Sequence, residues 1–370
     1  MDLNIIINST AAKTSGALTI LKDFMAYIYA KNCFEYHIHL LTTTKGVFNS
    51  TNNIIVHELP VQNWCSRLIW DKRGLNSWCK NNKIIPDVIV SFQNTCSKLA
   101  GTICNTRQLV YYHQPLPLVK YHWRWYSSEE WKLFLYANCY GFFVNRWNKN
   151  AEYVVQLSSV KDLFCKKFPN ISVERVHVIR PNLPNISIAS IPRKDIYSGK
   201  KVFIYPATPL RYKNHIVILK ALEYLRQNNP EIINNIKVIF TVPNNSFVAN
   251  TISEMKLELF VDCINSIPYE ELLSYYKRSD ALLFPSKIES FGLPLSEAAL
   301  FGDSIIAADL PYAREVLEDY NGVDFIDVDD YKLWAKAITN ICINEKHVKA
   351  MTRNINNSWE QFEQLMLSII

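Results

Sequence analysis

The hydrophobic residues of this chain fall into short runs that recur about every 20 to 40 residues. Apolar runs of this length, separated by polar or helix-periodic stretches, are typical of buried parallel strands in an α/β fold. Seven runs precede residue 180, namely Leu3–Ile7, Tyr36–Leu41, Ile54–His57, Asp87–Ser91, Leu109–Tyr112, Ala151–Gln156 and Arg175–Ile179. Six follow residue 200, namely Lys201–Tyr205, Ile236–Val242, Val261–Ile264, Ala281–Pro285, Ser304–Ala308 and Val323–Ile326. The pattern predicts two sheets, one in each half of the chain.

A proline-rich segment with little apolar periodicity separates the two groups of runs. It spans residues 181–200 and contains Pro181, Pro184 and Pro192, so we interpret it as an interdomain linker. The 370 residues are enough for two domains, each with its own core. We therefore expect two doubly wound, Rossmann-like α/β domains, 1–180 and 201–354, that face each other across a cleft.

The composition, 49% hydrophobic and 20% charged, is that of a globular protein and argues against disorder or a fibre. Since no run of 18 apolar residues is present and Met1–Ile7 lacks the features of a secretory signal, we expect a cytoplasmic protein, soluble or peripheral. The nine cysteines form no CxxC pair, and we expect them to be buried as small hydrophobic residues. Neither GxGxxG nor GxxxxGK[ST] occurs, so any phosphate must be bound by another device.

The charge is distributed unevenly between the two halves. Residues 1–180 contain 21 Lys and Arg against 11 Asp and Glu, a net charge of +10, whereas residues 181–370 contain 19 against 23, a net charge of −4. The basic half could face an anionic membrane, a phosphorylated substrate or nucleic acid, or could simply be an ordinary solvated surface.

The segment with the most candidate site residues runs from residue 280 to 317. Its strand ends at Ser286, a loop with Glu289 and Gly292 follows, and Pro294 can take the first position of a helix. The free N–H groups at a helix N-terminus bind anions, and Gly292 lets the backbone approach a phosphate closely. Glu297 would fall in the first turn of that helix. The two carboxylates could each accept paired hydrogen bonds from vicinal hydroxyls of a ribose or a sugar ring, or could be a surface charge and a helix-dipole partner.

The stretch Glu289-Ser-Phe-Gly-Leu-Pro-Leu-Ser-Glu297 resembles the E-x7-E motif of retaining GT-B glycosyltransferases of family 4, the glycosyl transferases group 1. The resemblance covers about 60 contiguous residues. They include residues 267–286 before the motif and residues 302–315 after it. It implies that Glu289 contacts hydroxyls of the donor sugar and that Glu297 binds the nucleotide ribose. It further places main-chain donors to the diphosphate at Phe291, Gly292 and Leu293, and the nucleobase near Ser266 and Ile267.

A second match lies at the start of the second half, in the strand end and helix of residues 205–225. The apolar face of the predicted helix is Ile218, Ala221, Leu222 and Leu225. Lys213 fits the family's diphosphate-binding lysine, but the position of the family's arginine is occupied by Thr208. Arg211 is a candidate replacement, because two cations at a diphosphate stabilise the departing negative charge. A solvated pair of charges at a helix start is the alternative.

Three features of the remaining sequence also resemble the family. Residues 8–18 match a nucleotide- and acceptor-side loop, with Gly16 where a Gly-Gly pair is common, and His113 ends the fifth predicted strand where the family often has a histidine near the transferred sugar. A lone histidine after a strand can instead be structural. The run from Ser358 matches the family's last helix, which returns to the first domain. That domain would then comprise residues 1–180 plus about 355–370.

Two further patterns need separate interpretations. Asp327-Val-Asp329 has the form of a metal-binding DxD, but we interpret it as a surface loop because it lies beyond the family-4 core. Residues 121–153 hold twelve aromatic residues among several basic ones, which suits a membrane surface. Core packing, or stacking on sugars or single-stranded nucleic acid, uses the same residue types.

The resemblance to family 4 implies a retaining hexosyltransferase that uses a nucleotide-diphospho-sugar and no catalytic metal or other cofactor. The acceptor implied by the basic half and by the family is a lipid-linked oligosaccharide of O-antigen or capsule synthesis, with contact to the inner face of the membrane as a further hypothesis. A nucleotide-sugar epimerase on the same fold and a module that has lost activity remain alternatives. No nucleic-acid partner is expected, since no recognised binding module occurs.

Overall fold

All thirteen hydrophobic runs form β-strands, with ends that differ from the predicted ones by no more than two residues. The computed structural model describes residues 3–13, 15–31, 35–61, 63–127, 130–182, 190–192, 197–344, 349–351 and 357–370. The chain divides into two compact units, which we call unit 1 (Met1–Asn182 with Asn356–Ile370) and unit 2 (Leu183–Ile355). Most of the predicted linker, 183–189 and 193–196, lies outside the described residues.

Unit 1 is built around a seven-stranded parallel sheet of order β3-β2-β1-β4-β5-β6-β7. Its strands are β1 (Leu3–Asn8), β2 (Tyr36–Thr42), β3 (Ile54–Glu58), β4 (Val88–Ser91), β5 (Arg107–Tyr111), β6 (Ala151–Val155) and β7 (Val176–Val178). Its helices are α1 (Ser15–Ala30), α2 (Trp64–Ile69), α3 (Leu75–Asn82), α4 (Trp131–Val144), α5 (Ser158–Lys167) and α13 (Ser358–Ser368), with a π-helical turn at Trp70–Gly74.

The last helix, α13, completes the core of unit 1. Trp359 and Phe362 pack on Phe24 of α1, with ring centroids 5.0 and 5.3 Å from it. The Glu363 carboxylate accepts hydrogen bonds from Tyr27 and Tyr36, at 2.6 and 2.5 Å. Residues more than 300 positions apart in the sequence are thereby held in one core.

Unit 2 contains a six-stranded parallel sheet of order β10-β9-β8-β11-β12-β13. Its strands are β8 (Lys201–Tyr205), β9 (Ile236–Phe240), β10 (Val261–Cys263), β11 (Ala281–Phe284), β12 (Ser304–Ala308) and β13 (Val323–Ile326). Its helices are α6 (His215–Asn228), α7 (Pro230–Ile233), α8 (Phe247–Glu254), α9 (Tyr269–Arg278), α10 (Leu293–Phe301), α11 (Pro311–Val316) and α12 (Tyr331–Ile343).

The strand order of unit 2 reverses between β8 and β11. From β8 the chain adds β9 and β10 on one side, and then crosses back to add β11, β12 and β13 on the other. In open parallel sheets a ligand binds outside the carboxyl ends of the strands at such a reversal. The loops that follow Tyr205 and Phe284 therefore define the edge at which a site is expected.

The expectation that the cysteines are buried is wrong for most of those described. Cys79 and Cys96 are buried, but Cys65, Cys104 and Cys139 are exposed and the remaining described cysteines are partly exposed. Cys65 lies on α2, Cys104 follows a short turn and Cys139 lies on α4. Apolar character alone does not bury a residue whose position on its helix points outward. Within the described residues, no helix combines the length and hydrophobicity needed to cross a bilayer.

Candidate active site

The loop after β8 carries the first site residue, Lys213. A 3-10 turn over Arg211–Lys213 follows the strand, and Asn214 then takes a left-handed conformation, with φ of 57°, immediately before α6. Asparagine tolerates that conformation better than most residues. The Tyr205 hydroxyl donates to the carbonyl oxygen of Lys213 at 2.7 Å, which fixes the turn against the end of its own strand.

The loop after β11 is tied to the same edge by hydrogen bonds. The Lys287 amide donates to the carbonyl oxygen of Tyr212 at 2.8 Å, which joins this loop to the one after β8. The Tyr312 hydroxyl donates to the carbonyl oxygen of Ser286 at 2.6 Å. The two loops at the sheet reversal are thus held to one another by the backbone.

These two loops bring Lys213 and Glu289 into a direct ion pair. The Lys213 Nζ atom lies 2.5 Å from Glu289 Oε1, and their side chains are only 17% and 13% exposed. Desolvation makes such a pair costly unless it is well paired, and losing one partner leaves an uncompensated buried charge. A cation and a carboxylate therefore lie together at the reversal of the unit 2 sheet.

The helix that follows, α10, begins at Leu293, one residue earlier than predicted. Gly292 is its N-cap, with φ of +87°, and Pro294 takes the second helical position. Glu297 is consequently the fifth residue of the helix, so its expected place in the first turn is wrong. Among the described residues, the amides of Phe291, Gly292 and Leu293 have no acceptor, which leaves them available to an anion.

Glu297 is buried and bonded to α9. The Tyr276 hydroxyl donates to Glu297 Oε2 at 2.9 Å. Burial raises the pKa of Glu297, and the hydrogen bond from Tyr276 opposes that rise. Tyr276 was not singled out in the sequence. Ser266, which is exposed, and Ile267 lie in the loop just before Tyr269.

Arg211 has a different environment from Lys213. Its guanidinium carbon lies 4.6 Å from the ring centroid of Phe247, the first residue of α8, in a cation–π contact. Arg211 therefore packs on α8, whereas Lys213 is paired with Glu289. The structure brings Lys213 and Glu289 together and holds Glu297 in the second turn of α10.

The other two predicted site residues belong to unit 1. Gly16 is the second residue of α1, and a Cβ atom there would meet no atom within 4 Å. The His113 amide donates to Asn94 Oδ1 at 2.7 Å, just after β5. Burial, with a smaller contribution from the Arg67 charge, lowers the pKa of His113 to about 4, so its imidazole is neutral at physiological pH.

A buried polar cluster beside His113 was not visible in the sequence. The Arg67 Nη2 atom donates to the carbonyl oxygen of Gln93 at 2.9 Å, and Arg67 Nε lies 3.9 Å from Asp71 Oδ2. Thr10 Oγ1 donates to Gln93 Oε1 at 2.7 Å. An Arg and an Asp four residues apart on a helix are common on surfaces, so their spacing gives no signal of burial. This cluster stabilises the loop that carries Asn94 and, through it, the backbone at His113.

The Asp327–Asp329 segment forms a turn on the surface, as interpreted. Asp327 Oδ1 accepts a hydrogen bond from the amide of Asp329 at 2.9 Å. The side chain of Asp329 is 70% exposed and lies 2.5 Å from Lys287 Nζ. Asp330 caps α12.

Part of the aromatic segment 121–153 is core and part is surface. Trp123, Tyr140 and Tyr153 are buried, in agreement with the core interpretation for some of the segment. We call the exposed part the aromatic surface; it consists of Trp125, Tyr126, Trp131, Leu135 and Phe142, which are 43% to 73% exposed. Basic side chains lie over two of its rings, Lys132 over Trp131 and Arg146 over Phe142.

The chain resembles known proteins in sequence. The sequence profile of the glycosyl transferases group 1 family matches residues 188–358. The O-antigen chain mannosyltransferase RfbU of Salmonella typhimurium is 26% identical over 198 residues, which are 52% of each chain. The capsular polysaccharide biosynthesis glycosyltransferase CapH of Staphylococcus aureus is 23% identical over 242 residues, 60% of this chain and 64% of CapH. The matches thus span about half to two thirds of these relatives.

The fold is also shared with solved structures. The crystal structure of WaaG, a glycosyltransferase involved in lipopolysaccharide biosynthesis, superposes with a TM-score of 0.71 at 14% identity, covering 98% of this chain and 99% of WaaG. At that identity the likeness concerns the fold. We conclude that residues 188–358 form a glycosyl transferases group 1 domain and that the chain has the GT-B fold.

Proposed function

We propose that the chain is a retaining glycosyltransferase that moves a hexosyl residue from a nucleotide-diphospho-sugar to an oligosaccharide of O-antigen or capsule synthesis. The observation that carries the proposal is the Lys213–Glu289 pair at the reversal of the unit 2 sheet, together with the amides of residues 291–293 at the start of α10, which have no acceptor among the described residues. The likeness to RfbU and CapH supports the polysaccharide class.

The donor would be bound by groups of opposite charge at this edge. Lys213 and the amides of Phe291, Gly292 and Leu293 suit the diphosphate, because they supply one full positive charge and a helix N-terminus. Glu289 would accept hydrogen bonds from hydroxyls of the donor sugar, and Glu297 would accept them from the ribose. The donor would share Lys213 and Glu289, which in its absence bind one another.

The transfer needs stabilisation of the leaving diphosphate more than it needs an acid or base. The acceptor hydroxyl attacks the anomeric carbon on the face from which the diphosphate departs. The bond between that carbon and the phosphate oxygen breaks, and that oxygen takes the hydroxyl proton. Groups fixed in advance around the developing charge lower the barrier of such a step. Neither glutamate acts as a nucleophile in this scheme.

We propose further that no metal ion takes part. Lys213 and the start of α10 would neutralise the diphosphate, with Arg211, which packs on Phe247, as an additional cation. The side chains that contact the donor determine which base and which sugar it carries. GDP-mannose is the first donor to test, because RfbU is a mannosyltransferase.

The acceptor would bind unit 1, where His113 lies at the carboxyl end of β5. A lipid-linked acceptor on the cytoplasmic face of the membrane fits the net charge of +10 on residues 1–180. The aromatic surface of unit 1 combines exposed indole rings with basic side chains, which suits contact with anionic lipid headgroups.

The experiment is a thermal-shift screen with UDP, GDP, dTDP and their sugars in EDTA, on the wild type, Lys213→Met and Lys220→Met. A ligand that binds only the native state raises the melting temperature. Lys220 is an exposed lysine on α6, the helix that follows Lys213, and serves as the matched control. We expect one nucleotide to raise the melting temperature of the wild type and of Lys220→Met, and much less that of Lys213→Met.

Activity with that donor then tests the chemistry. Lys213→Met should lower kcat by about 100- to 1,000-fold, the range for removing one group that stabilises the transition-state charge. Absence of any nucleotide shift would contradict the proposal, as would transfer that requires a divalent metal. An altered free sugar formed without acceptor would favour the epimerase.

A further inference from the structure

A turn formed by residues 327–330 lies at the same edge of the unit 2 sheet as the ion pair of the candidate active site. We call it the β13 turn, because it directly follows β13, which runs parallel to the other strands of this sheet. The indole of Trp334, which is fully buried, donates to the carbonyl oxygen of Asp327 at 2.9 Å. Asp330 caps α12. The β13 turn is therefore fixed to the helix that follows it.

Asn214 joins the β13 turn to the loop after β8. Its side-chain Nδ2 donates to the carbonyl oxygen of Val328 at 2.7 Å, and the residue is only 8% exposed. Its main-chain amide donates to the carbonyl oxygen of Arg211 at 3.0 Å, which closes the 3-10 turn that carries Lys213. One residue thus closes that turn with its backbone and anchors it to a second loop with its side chain.

The loop after β11 is connected to both of these segments through Lys287. The Lys287 amide donates to the carbonyl oxygen of Tyr212, and its Nζ atom lies 2.5 Å from Asp329 Oδ1. Because the Asp329 side chain is 70% exposed, this ion pair contributes little to stability. The buried hydrogen bond of Asn214 is therefore the stronger link between the β13 turn and the other two loops.

We propose that Asn214 is a positioning residue of the candidate active site: its hydrogen bond to Val328 holds the turn that carries Lys213 where Lys213 meets Glu289. A functional side chain needs neighbours that fix it to within about 0.5 Å of its working position. The inference deepens the proposed function, on which its importance for donor binding rests. It also gives the Asp327–Asp329 segment a role as part of the frame of the site.

The coupling between Lys213 and Glu289 tests the proposal without any nucleotide. Urea unfolding of the wild type, Lys213→Met, Glu289→Gln and the double variant gives this coupling as the non-additive part of the free energy of unfolding. The cycle is then repeated with Asn214→Gly, which removes the side-chain amide and keeps a residue that readily adopts a left-handed conformation. We expect the coupling to fall to less than about half of its wild-type value, because Lys213 is no longer held in place.

Asn265→Gly is the matched control for this cycle. Asn265 has a φ of 60°, belongs to the same unit and is exposed, so the same change should leave the coupling between Lys213 and Glu289 unaltered. A purely structural role of Asn214 would lower the stability of Asn214→Gly and preserve the coupling. That result would overturn the inference, as would an equal loss of coupling in Asn265→Gly.

Nucleotide binding separates this inference from the proposed function. Calorimetry identifies which of UDP, GDP and dTDP binds the wild type most tightly. Asn214→Gly should weaken that binding about fivefold, the size of one hydrogen bond, and should have less than about a third of this effect in a Lys213→Met background.

The two proposals fail in different ways. If the wild type binds none of the three nucleotides, the proposed function fails, and the unfolding cycle still decides whether Asn214 positions Lys213. If one nucleotide binds the wild type and Asn214→Gly equally well, the inference is wrong and the proposed function stands.

Discussion

Gly292 forms the N-cap of α10 in a conformation that favours glycine. Its φ of +87° lies in the left-handed region, and an added Cβ atom would stand 3.2 Å from Leu295 Cδ1 and 3.4 Å from the Phe284 ring. Gly16, in contrast, has an ordinary φ, and open space surrounds the position of its missing Cβ. The two glycines, both expected from the sequence to contact nucleotide, thus differ in what their backbone requires.

We predict that Gly292→Ala lowers the free energy of unfolding of unit 2 by about 1 to 2 kcal/mol, because alanine strains the left-handed position and crowds Leu295. The substitution should also weaken binding of a nucleoside diphosphate, since it shifts the amides before α10. Urea unfolding and calorimetry measure the two effects.

Gly16→Ala is the matched control. Inside helix α1, alanine is favoured over glycine by about 0.5 to 1 kcal/mol, so this variant should be at least as stable as the wild type. Equal stability of Gly292→Ala and the wild type would show that the left-handed N-cap is not needed.

Some site residues could be predicted from the sequence, but their pairing could not. Lys213 and Glu289 each occupy a motif position, yet 76 residues separate them, and only the parallel order β8-β11 brings them together. Any helix prediction for residues 269–278 puts Tyr269 and Tyr276 on the same face. Two aromatic residues seven positions apart usually pack in a core, so the pattern gives no sign that Tyr276 contacts Glu297. The contact of Arg211 with Phe247 depends on where α8 begins, which no pattern near Arg211 indicates.

At the scale of elements, the strands were predictable because both faces of a parallel sheet are buried. Their sequences are therefore continuous apolar runs bounded by polar residues. The helix bounds were less certain: Leu293 starts α10 although Pro294 has the stronger preference for a first position, because Gly292 turns the chain one residue earlier. The return of α13 to unit 1 followed from resemblance, and its contact residues were not identifiable.

The contact of α13 with unit 1 predicts a pH effect at Glu363. Burial alone would raise the pKa of this carboxyl, but hydrogen bonds from Lys31, Tyr27 and Tyr36 outweigh it and lower the pKa. A group whose pKa is lower in the folded state stabilises that state above its unfolded pKa, and this contribution disappears as the pH falls through the folded pKa.

We therefore predict that Glu363→Gln destabilises unit 1 by about 2 kcal/mol at neutral pH, since the buried carboxylate that accepts hydrogen bonds from Tyr27, Tyr36 and the partly exposed Lys31 is lost. The difference from the wild type should shrink as the pH falls below about 4. Hydrogen exchange of α13 amides measures the effect. Glu360→Gln, the same change on the same helix, is the control, and an equal loss of protection in both variants would contradict the role of Glu363.

At the scale of the whole molecule, charge and exposed aromatic area are concentrated in the same unit. Residues 1–180 carry a net charge of +10, and the aromatic surface lies on α4 and the turn before it. Long-range attraction brings a basic surface to an anionic bilayer, and indole rings then bury in the interface.

We predict that the protein floats with vesicles that contain anionic phospholipid, more weakly at high salt, and stays behind with neutral vesicles. Replacing Trp125 and Trp131 with serine should weaken anionic-vesicle binding about tenfold, from the loss of buried apolar area. Leu259→Ser, a change at a 78% exposed leucine of unit 2, should have no effect. Equal flotation of the tryptophan variant and the wild type would contradict the assignment of the aromatic surface.

The place of α13 has a consequence for synthesis on the ribosome. Translation delivers β1 to β7 first and all of unit 2 next, and only then the helix whose Trp359 and Phe362 cover Phe24. Unit 1 therefore exposes an uncovered aromatic patch until α13 has been synthesised. Unit 2 is contiguous in the sequence and can fold completely before then. Domains generally fold as units during synthesis. In this chain the unit that begins first is the one that finishes last, so the interval before α13 arrives is when chaperone protection matters most.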